Sequence, residues 1–206
     1  MNFYCIIYKP FNVLSQFTSH DGKQTLKDLF DVPADVYAVG RLDYDSEGLL
    51  LLTNDKRLNH ALLDPVHEHE REYWVQVDGS ITKEAIELLQ HGVSISIDGK
   101  KYQTKKCNAS IFTASPAVPE RNPPVRFRKN IPTSWIKIQL TEGKNRQVRK
   151  MTAAVGFPTL RLIRYRIGSC LLDGLLPGEM RMFDEKEIYH LLSINTKHAS
   201  IDKRRF

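Results

Sequence analysis

The chain has 206 residues, a length that suits one large domain or two small ones and is enough to bury a core. Hydrophobic residues make up 41% and charged residues 26%, ordinary for a soluble globular chain, and no apolar run approaches the roughly 20 residues of a membrane helix. The net charge of +6 and the pI near 9.2 suit a polyanionic partner, and the three cysteines (Cys5, Cys107, Cys170), widely spaced and odd in number, make neither a disulfide framework nor a CxxC metal site.

Met1 to Pro10 lacks the basic-then-apolar layout of a signal peptide, so the cytoplasm is the expected compartment. Residues 3–8 are rich in β-branched and aromatic types and predict a strand, ended by Lys9-Pro10. Residues 25–30 predict a short helix at best. Gly40 to Gly48 is a polar loop, and the apolar run Leu49 to Thr53 predicts a strand buried on both faces. Asn54 or Asp55 caps a helix to about Leu63, stopped by Asp64-Pro65. Glu72 to Val77 alternates as a strand. Thr82 caps an amphipathic helix with Ile86, Leu89 and Leu88 on its apolar stripe and Gly92 past its end.

Residues 93–113 predict a hairpin turning at Asp98-Gly99, and the proline- and arginine-rich stretch 116–132 predicts an exposed loop. Trp135 to Leu140 is a strand, Asn145 to Val155 a helix, Leu160 to Ile167 a strand with a further β-segment near 169–172, and Asp184 caps a last helix to about Leu192. Strands with interspersed helices predict an α+β fold on a mostly antiparallel or mixed sheet. Residues 1–193 are expected to form the domain, with a division into two subdomains open near 116–132, and residues 194–206 a basic tail.

Two segments can carry chemistry. In the first, residues 40–48, a charged loop bounded by glycines leads into a rigid strand, which lets Asp43 be both held and reached. Asp43, Asp45 and Glu47 at alternate positions could instead bind a divalent metal or form a solvated turn. In the second, residues 141–151, Arg146, Arg149 and Lys150 share one helix face while Val148, Met151, Thr152 and Val155 turn toward the sheet; Gly143 and Lys144 precede the helix N-terminus, which favours phosphate. Arg161, Arg164 and Arg166, with Arg121, Arg126, Arg128 and Lys129, concentrate positive charge in the C-terminal half. His67-Glu68-His69-Glu70 lacks zinc-site spacing, and no phosphate-binding glycine loop or dinucleotide fingerprint is present.

Together these segments resemble one family. GRLDYDSEGLLLLTND (residues 40–55) is similar to the catalytic motif of the pseudouridine synthases that act on ribosomal RNA, in the branch typified by the small-subunit enzyme. EGKNRQVRKMTAAVGFPTLRLIRYRIG (142–168), YKPFNVLSQ (8–16) and REYWVQV (71–77) resemble that branch's downstream motif, N-terminal strand-loop and tyrosine-bearing strand, in the right order. The likeness is nearest to members of the E type, which act on the large-subunit ribosomal RNA. Many members of the branch begin with an S4-type RNA-binding domain. This chain is expected to start at the catalytic domain, leaving RNA selection to that domain's surface and the arginines of 121–129.

The resemblance implies isomerisation of uridine in large-subunit ribosomal RNA, a reaction that needs no redox cofactor; no metal is expected, and a monomer is the default expectation. It implies Asp43 as the catalytic aspartate, Tyr73 as the tyrosine stacked on the target base and Arg149 as the cation paired with the aspartate, with Lys144, Arg146 and Lys150 close enough to compete for that role. Arg41 holds the loop or a phosphate. Lys144, Arg146, Lys150, Arg126, Arg128 and Arg164 are the remaining candidate RNA contacts. Two rivals stay open: a non-catalytic RNA-binding ribosome-assembly factor on the same fold, and a base-excising glycosidase using Asp43 with Asp45 or Glu47.

Overall fold

The computed structural model of the protein describes residues 2–18, 21–126, 129 and 131–194. In chain order the strands are β1 (Tyr4–Lys9), β2 (Tyr37–Ala38), β3 (Glu47–Thr53), β4 (Arg71–Asp78), β5 (Ser94–Ile97), β6 (Lys100–Gln103), β7 (Asn108–Ile111), β8 (Thr133–Leu140), β9 (Thr159–Ile167), β10 (Cys170–Leu171) and β11 (Met180–Met182). The α-helices are α1 (Lys56–Leu63), α2 (Lys83–His91), α3 (Gln147–Ala154) and α4 (Glu185–Leu191). The fold is α+β, as the alternating patterns predict.

Among the described residues nine strands form one sheet, in the order β11-β1-β3-β9-β4-β8-β7, with β10 added to β9 and β2 to β3. Every pairing in it is antiparallel except β3 with β9, where Glu47 faces Ile163 and Gly48 faces Arg164. All seven residues of β3 are buried, because β1 and β9 flank it and apolar clusters cover both faces. β5 and β6 make a separate hairpin, so the pairing predicted across 93–113 stops at Gln103, and β7 joins the main sheet through β8.

Local chemistry sets the helix ends. Asp55 accepts from the Arg57 amide at the start of α1, Thr82 from Ala85 at the start of α2, and Asp184 from Glu187 at the start of α4. On α2 the buried residues are Ala85, Ile86 and Leu89; Leu88, expected on the stripe, is 56% exposed because it falls on the opposite side. The helix predicted from Asn145 begins at Gln147, since Arg146 adopts a left-handed backbone (φ 54°) that no helix continues through. β2 and β11 have no signal of their own: such short edge segments become strands through the partner they pair with.

The apolar faces sort into clusters. Val75, Val77, Ile136, Ile138 and Leu162 of one sheet face pack on Ile86 and Leu89 of α2 and Val148 and Met151 of α3. Tyr4, Ile6, Leu49, Leu51 and Ile163 pack on Leu58 of α1 and Ile188 of α4. Cys5 and Cys170 are buried, and Cys107 Sγ donates to the Leu89 carbonyl (3.1 Å), so all three sit as small packed groups. No helix among the described residues is long and apolar enough to cross a membrane. The expected tail, Asn195 to Phe206, lies outside the described residues.

Candidate active site

Residues 40–46, between β2 and β3, form a loop that is held from behind. The Ser15 hydroxyl donates to the Leu42 carbonyl (2.7 Å) and accepts from the Leu42 amide (3.0 Å), while the Asn12 amide donates to the Tyr44 carbonyl (2.9 Å). Within the loop the Ser46 amide donates to the Asp43 carbonyl (3.0 Å). Lys9, fully buried at the end of β1, spends its ammonium on the carbonyls of Pro10 (2.9 Å) and Val13 (2.7 Å). Burial drives its pKa down to about 7, against the pull of Glu47, Asp45 and Asp43 in front of it.

The loop's exit into β3 is fixed twice more. Glu47 makes a bidentate pair with Arg161 of β9 (2.9 and 2.8 Å), both side chains almost wholly buried. Gly48 has φ +108°, and a Cβ on it would lie 2.3 Å from the Arg164 carbonyl oxygen, so only glycine fits where β3 meets β9. Asp43, four residues before Glu47 and five before Gly48, therefore leads into a fixed strand.

Asp43 stands at the wall of a cleft of about 680 Å³ that Arg41, Tyr73, Lys144, Arg146 and Arg164 also line. Its side chain is 33% exposed, and the nearest guanidinium is that of Arg146, whose Nη1 is 3.6 Å from Oδ2. Arg146 also forms a bidentate pair with Asp45 (2.8 and 2.8 Å), which holds that carboxylate below its usual range. The neighbouring Arg149 was expected on Asp43. Instead its Nη2 donates to the Asp45 carbonyl and the Ser46 hydroxyl and its Nε lies 3.5 Å from Asp45 Oδ2. The reason is geometric: Arg146 caps α3 in a left-handed conformation and reaches the loop's outer edge, while Arg149, one turn in, meets the loop from below with only 13% of its side chain exposed.

Tyr73 reaches the cleft from β4, where it pairs across the sheet with Arg164 of β9 and Ile138 of β8. Arg164 lies in the cleft floor beside Tyr73: it is 5% exposed, with Nε donating to the Leu49 carbonyl (2.8 Å) and Nη2 without a hydrogen-bond partner among the described residues. Burial lowers its pKa, with the adjacent Tyr73 hydroxyl partly restoring it. Arg166 is spent on Glu70 and Glu72, and Arg161 on Glu47, so much of the basic character seen in the C-terminal half is internal pairing.

Of the other expected contacts, Arg41 and Lys144 are exposed on the cleft wall, whereas Lys150 is half-buried on α3 and not among the lining residues. Arg126 is exposed beside a smaller pocket with Gln76, Asp78 and Thr133, toward the far ends of β4 and β8. Arg128 lies outside the described residues. Sequence reasoning missed Lys9, Ser15 and Glu142 as supports. A lysine closing an otherwise apolar strand was a usable signal for the first; nothing local marks the other two.

A model of the RNA pseudouridylate synthase family matches residues 3–154. The chain belongs to that family. It is 51% identical over 176 residues to the ribosomal large subunit pseudouridine synthase E of Vibrio parahaemolyticus, covering 85% of this chain and 71% of that protein. It is 49% identical to the enzyme of the same name from Xanthomonas axonopodis pv. citri, covering 84% of this chain and 89% of that protein. The ribosomal large subunit pseudouridine synthase B of Bacillus subtilis is 32% identical, over 93% and 72% of the two chains. A crystal structure of a pseudouridylate synthase superposes with a TM-score of 0.74 at 28% identity, covering 93% of this chain and 74% of that one. The fold alone is shared with a chain of the H/ACA RNP bound to a substrate RNA containing 2′-deoxyuridine, at a TM-score of 0.52 and 16% identity, over 85% of this chain and 50% of that one. As a member of this RNA pseudouridylate synthase family the protein is an isomerase that turns uridine in RNA into pseudouridine.

Proposed function

We propose that the protein isomerises one uridine of large-subunit ribosomal RNA, the class of substrate named for its relatives, with Asp43 acting at the ribose of a flipped-out nucleotide. The observation that carries the assignment is the meeting of Asp43 and Tyr73 in one cleft, with Arg146 3.6 Å from the carboxylate. The reaction breaks the bond from uracil N1 to ribose C1′, turns the base, forms the bond from C5 to C1′ and moves the C5 proton to solvent and a proton to N1. Nothing is oxidised or reduced, so the residues of the cleft suffice.

Asp43 works either as a nucleophile at C1′ or as a base on the sugar. The guanidinium of Arg146, 3.6 Å away, lies beside the carboxylate in either role. Tyr73 covers a face of the detached base, and its hydroxyl is suited to the late removal of the C5 proton. Arg149 is a positioning residue that acts through Asp45 and Ser46. Arg41 and Lys144 meet phosphates at the rim, offsetting the cost of about a few kcal/mol for unstacking the uridine. The protein is proposed to act as a monomer, and a ribosomal substrate agrees with a cytoplasmic protein.

The test is tritium release from large-subunit ribosomal RNA labelled at uridine C5. Wild-type protein releases tritium to water at one equivalent per RNA, and Asp43→Asn releases none while still binding. Free uracil among the products would instead identify a glycosidase, and RNA binding without release would identify an assembly factor.

A further inference from the structure

The cleft does not end at the reacting pair. It continues past Asp43 and Tyr73 to a wall formed by Tyr102 and Lys105, which the chemistry above does not use, and the rim residue Lys144. That wall is built around one carboxylate. Glu142, only 9% exposed in the connection from β8 to α3, accepts the Tyr102 hydroxyl (2.5 Å), the Lys105 amide (2.9 Å) and the Gln147 side-chain amide (2.5 Å). Three donors on one buried acid fix the β5–β6 hairpin to the start of the helix that carries Arg149.

The side chains that this anchor presents are suited to a nucleotide. Tyr102 packs against the apolar cluster of α2 and α3, and the exposed Lys144 holds its ammonium 5.2 Å from the centroid of its ring. A base can stack on the ring face now taken by Lys144 once that lysine turns to a phosphate. Lys105 pairs with Glu68, but both side chains are about half exposed (51% and 55%), and such a pair exchanges readily for a phosphate.

We infer that this end of the cleft is a second nucleotide subsite, in which the base adjacent to the reacting uridine stacks on Tyr102 and its phosphate is held by Lys144 and Lys105. The inference rests on the uridine-isomerising reading and makes the subsite a determinant of which uridine is chosen.

The experiment uses the full chain and an RNA stem-loop containing the target uridine, with the base deleted in turn from the nucleotide on each side. Tyr102→Ala lowers kcat/KM about tenfold on the intact RNA. Tyr102→Phe, which keeps the ring and loses only the tether to Glu142, stays within about threefold of wild type. On the RNA lacking the stacked base the two variants and wild type converge, because the partner of the ring is already gone. An independent check needs no variant: 4-thiouridine placed beside the target uridine crosslinks to the peptide containing Tyr102. A Tyr102→Ala loss that persists in full on both base-deleted RNAs, a Phe variant as impaired as Ala, or a crosslink that maps elsewhere overturns the subsite. Failure of wild-type protein to form pseudouridine in any ribosomal RNA overturns the functional reading itself, and the subsite with it.

Discussion

Arg146 stands 3.6 Å from Asp43 while also gripping Asp45 with both of its Nη atoms, so one exposed guanidinium spans two carboxylates of the same loop. Arg149 braces that loop from its buried side. The two arginines therefore do different work, and they should fail differently. Arg146→Ala removes the guanidinium beside Asp43 from a half-exposed site. Activity falls roughly tenfold, and stability changes by no more than about 0.5 kcal/mol. Arg149→Ala releases the loop itself, and a shift of about 1 Å in Asp43 costs on the order of 100-fold in kcat. Turnover kinetics with a melting curve for each variant distinguish them; equal losses in both readouts would mean that the loop is not braced in this way.

Gly48 is a second point at which the site depends on backbone geometry. A methyl group there meets the Arg164 carbonyl at 2.3 Å, at a φ that L-residues avoid. Gly48→Ala should destabilise the protein by about 3 kcal/mol, because the β3–β9 contact must open to admit it. The urea midpoint measures this. A Gly48→Ala protein of wild-type stability would show that β3 and β9 do not approach so closely.

The acid limb of stability should be dominated in part by Asp55, whose side chain is 3% exposed. Its carboxylate accepts the hydroxyls of Tyr4 and Tyr189 (both 2.8 Å) and the Arg57 amide (2.9 Å), tying together β1, α1 and α4. Burial opposes ionisation, but the Arg57 guanidinium (3.3 Å) together with these donors outweighs it and holds the pKa at about 2. A carboxylate depressed on folding stabilises above its unfolded pKa of about 4 and loses that contribution as pH falls toward 2. Asp55→Asn should therefore cost about 2 kcal/mol at pH 7 and progressively less below pH 4. Urea unfolding across that range reads the difference; a cost that does not vary with pH would contradict it.

The helices and long strands were legible in the sequence because their signals are local. Asp55, Thr82 and Asp184 cap what they were expected to cap, and the buried run after Gly48 is β3. What the sequence hid depends on partners far along the chain. β11 exists because β1 offers it an edge. Arg161, Arg164 and Arg166 look like a basic surface in one dimension, but alternation along β9 together with the bulge where its pairing passes from Tyr73 to Glu72 turns Arg161 to Glu47, Arg164 under the cleft and Arg166 to Glu70 and Glu72. The loop of Asp43 was legible as a motif, whereas its supports, Ser15 and Lys9 behind and Arg149 below, come from elsewhere in the chain.

The most direct measurement is a pseudouridine map of ribosomal RNA, read by reverse-transcription stops at a chemical label, from cells with and without this gene. The account predicts that one position in the large-subunit RNA loses its mark, that wild-type protein restores it, and that Asp43→Asn, expressed to the same level, does not. Restoration by Asp43→Asn, or a map in which no ribosomal position changes, would contradict it.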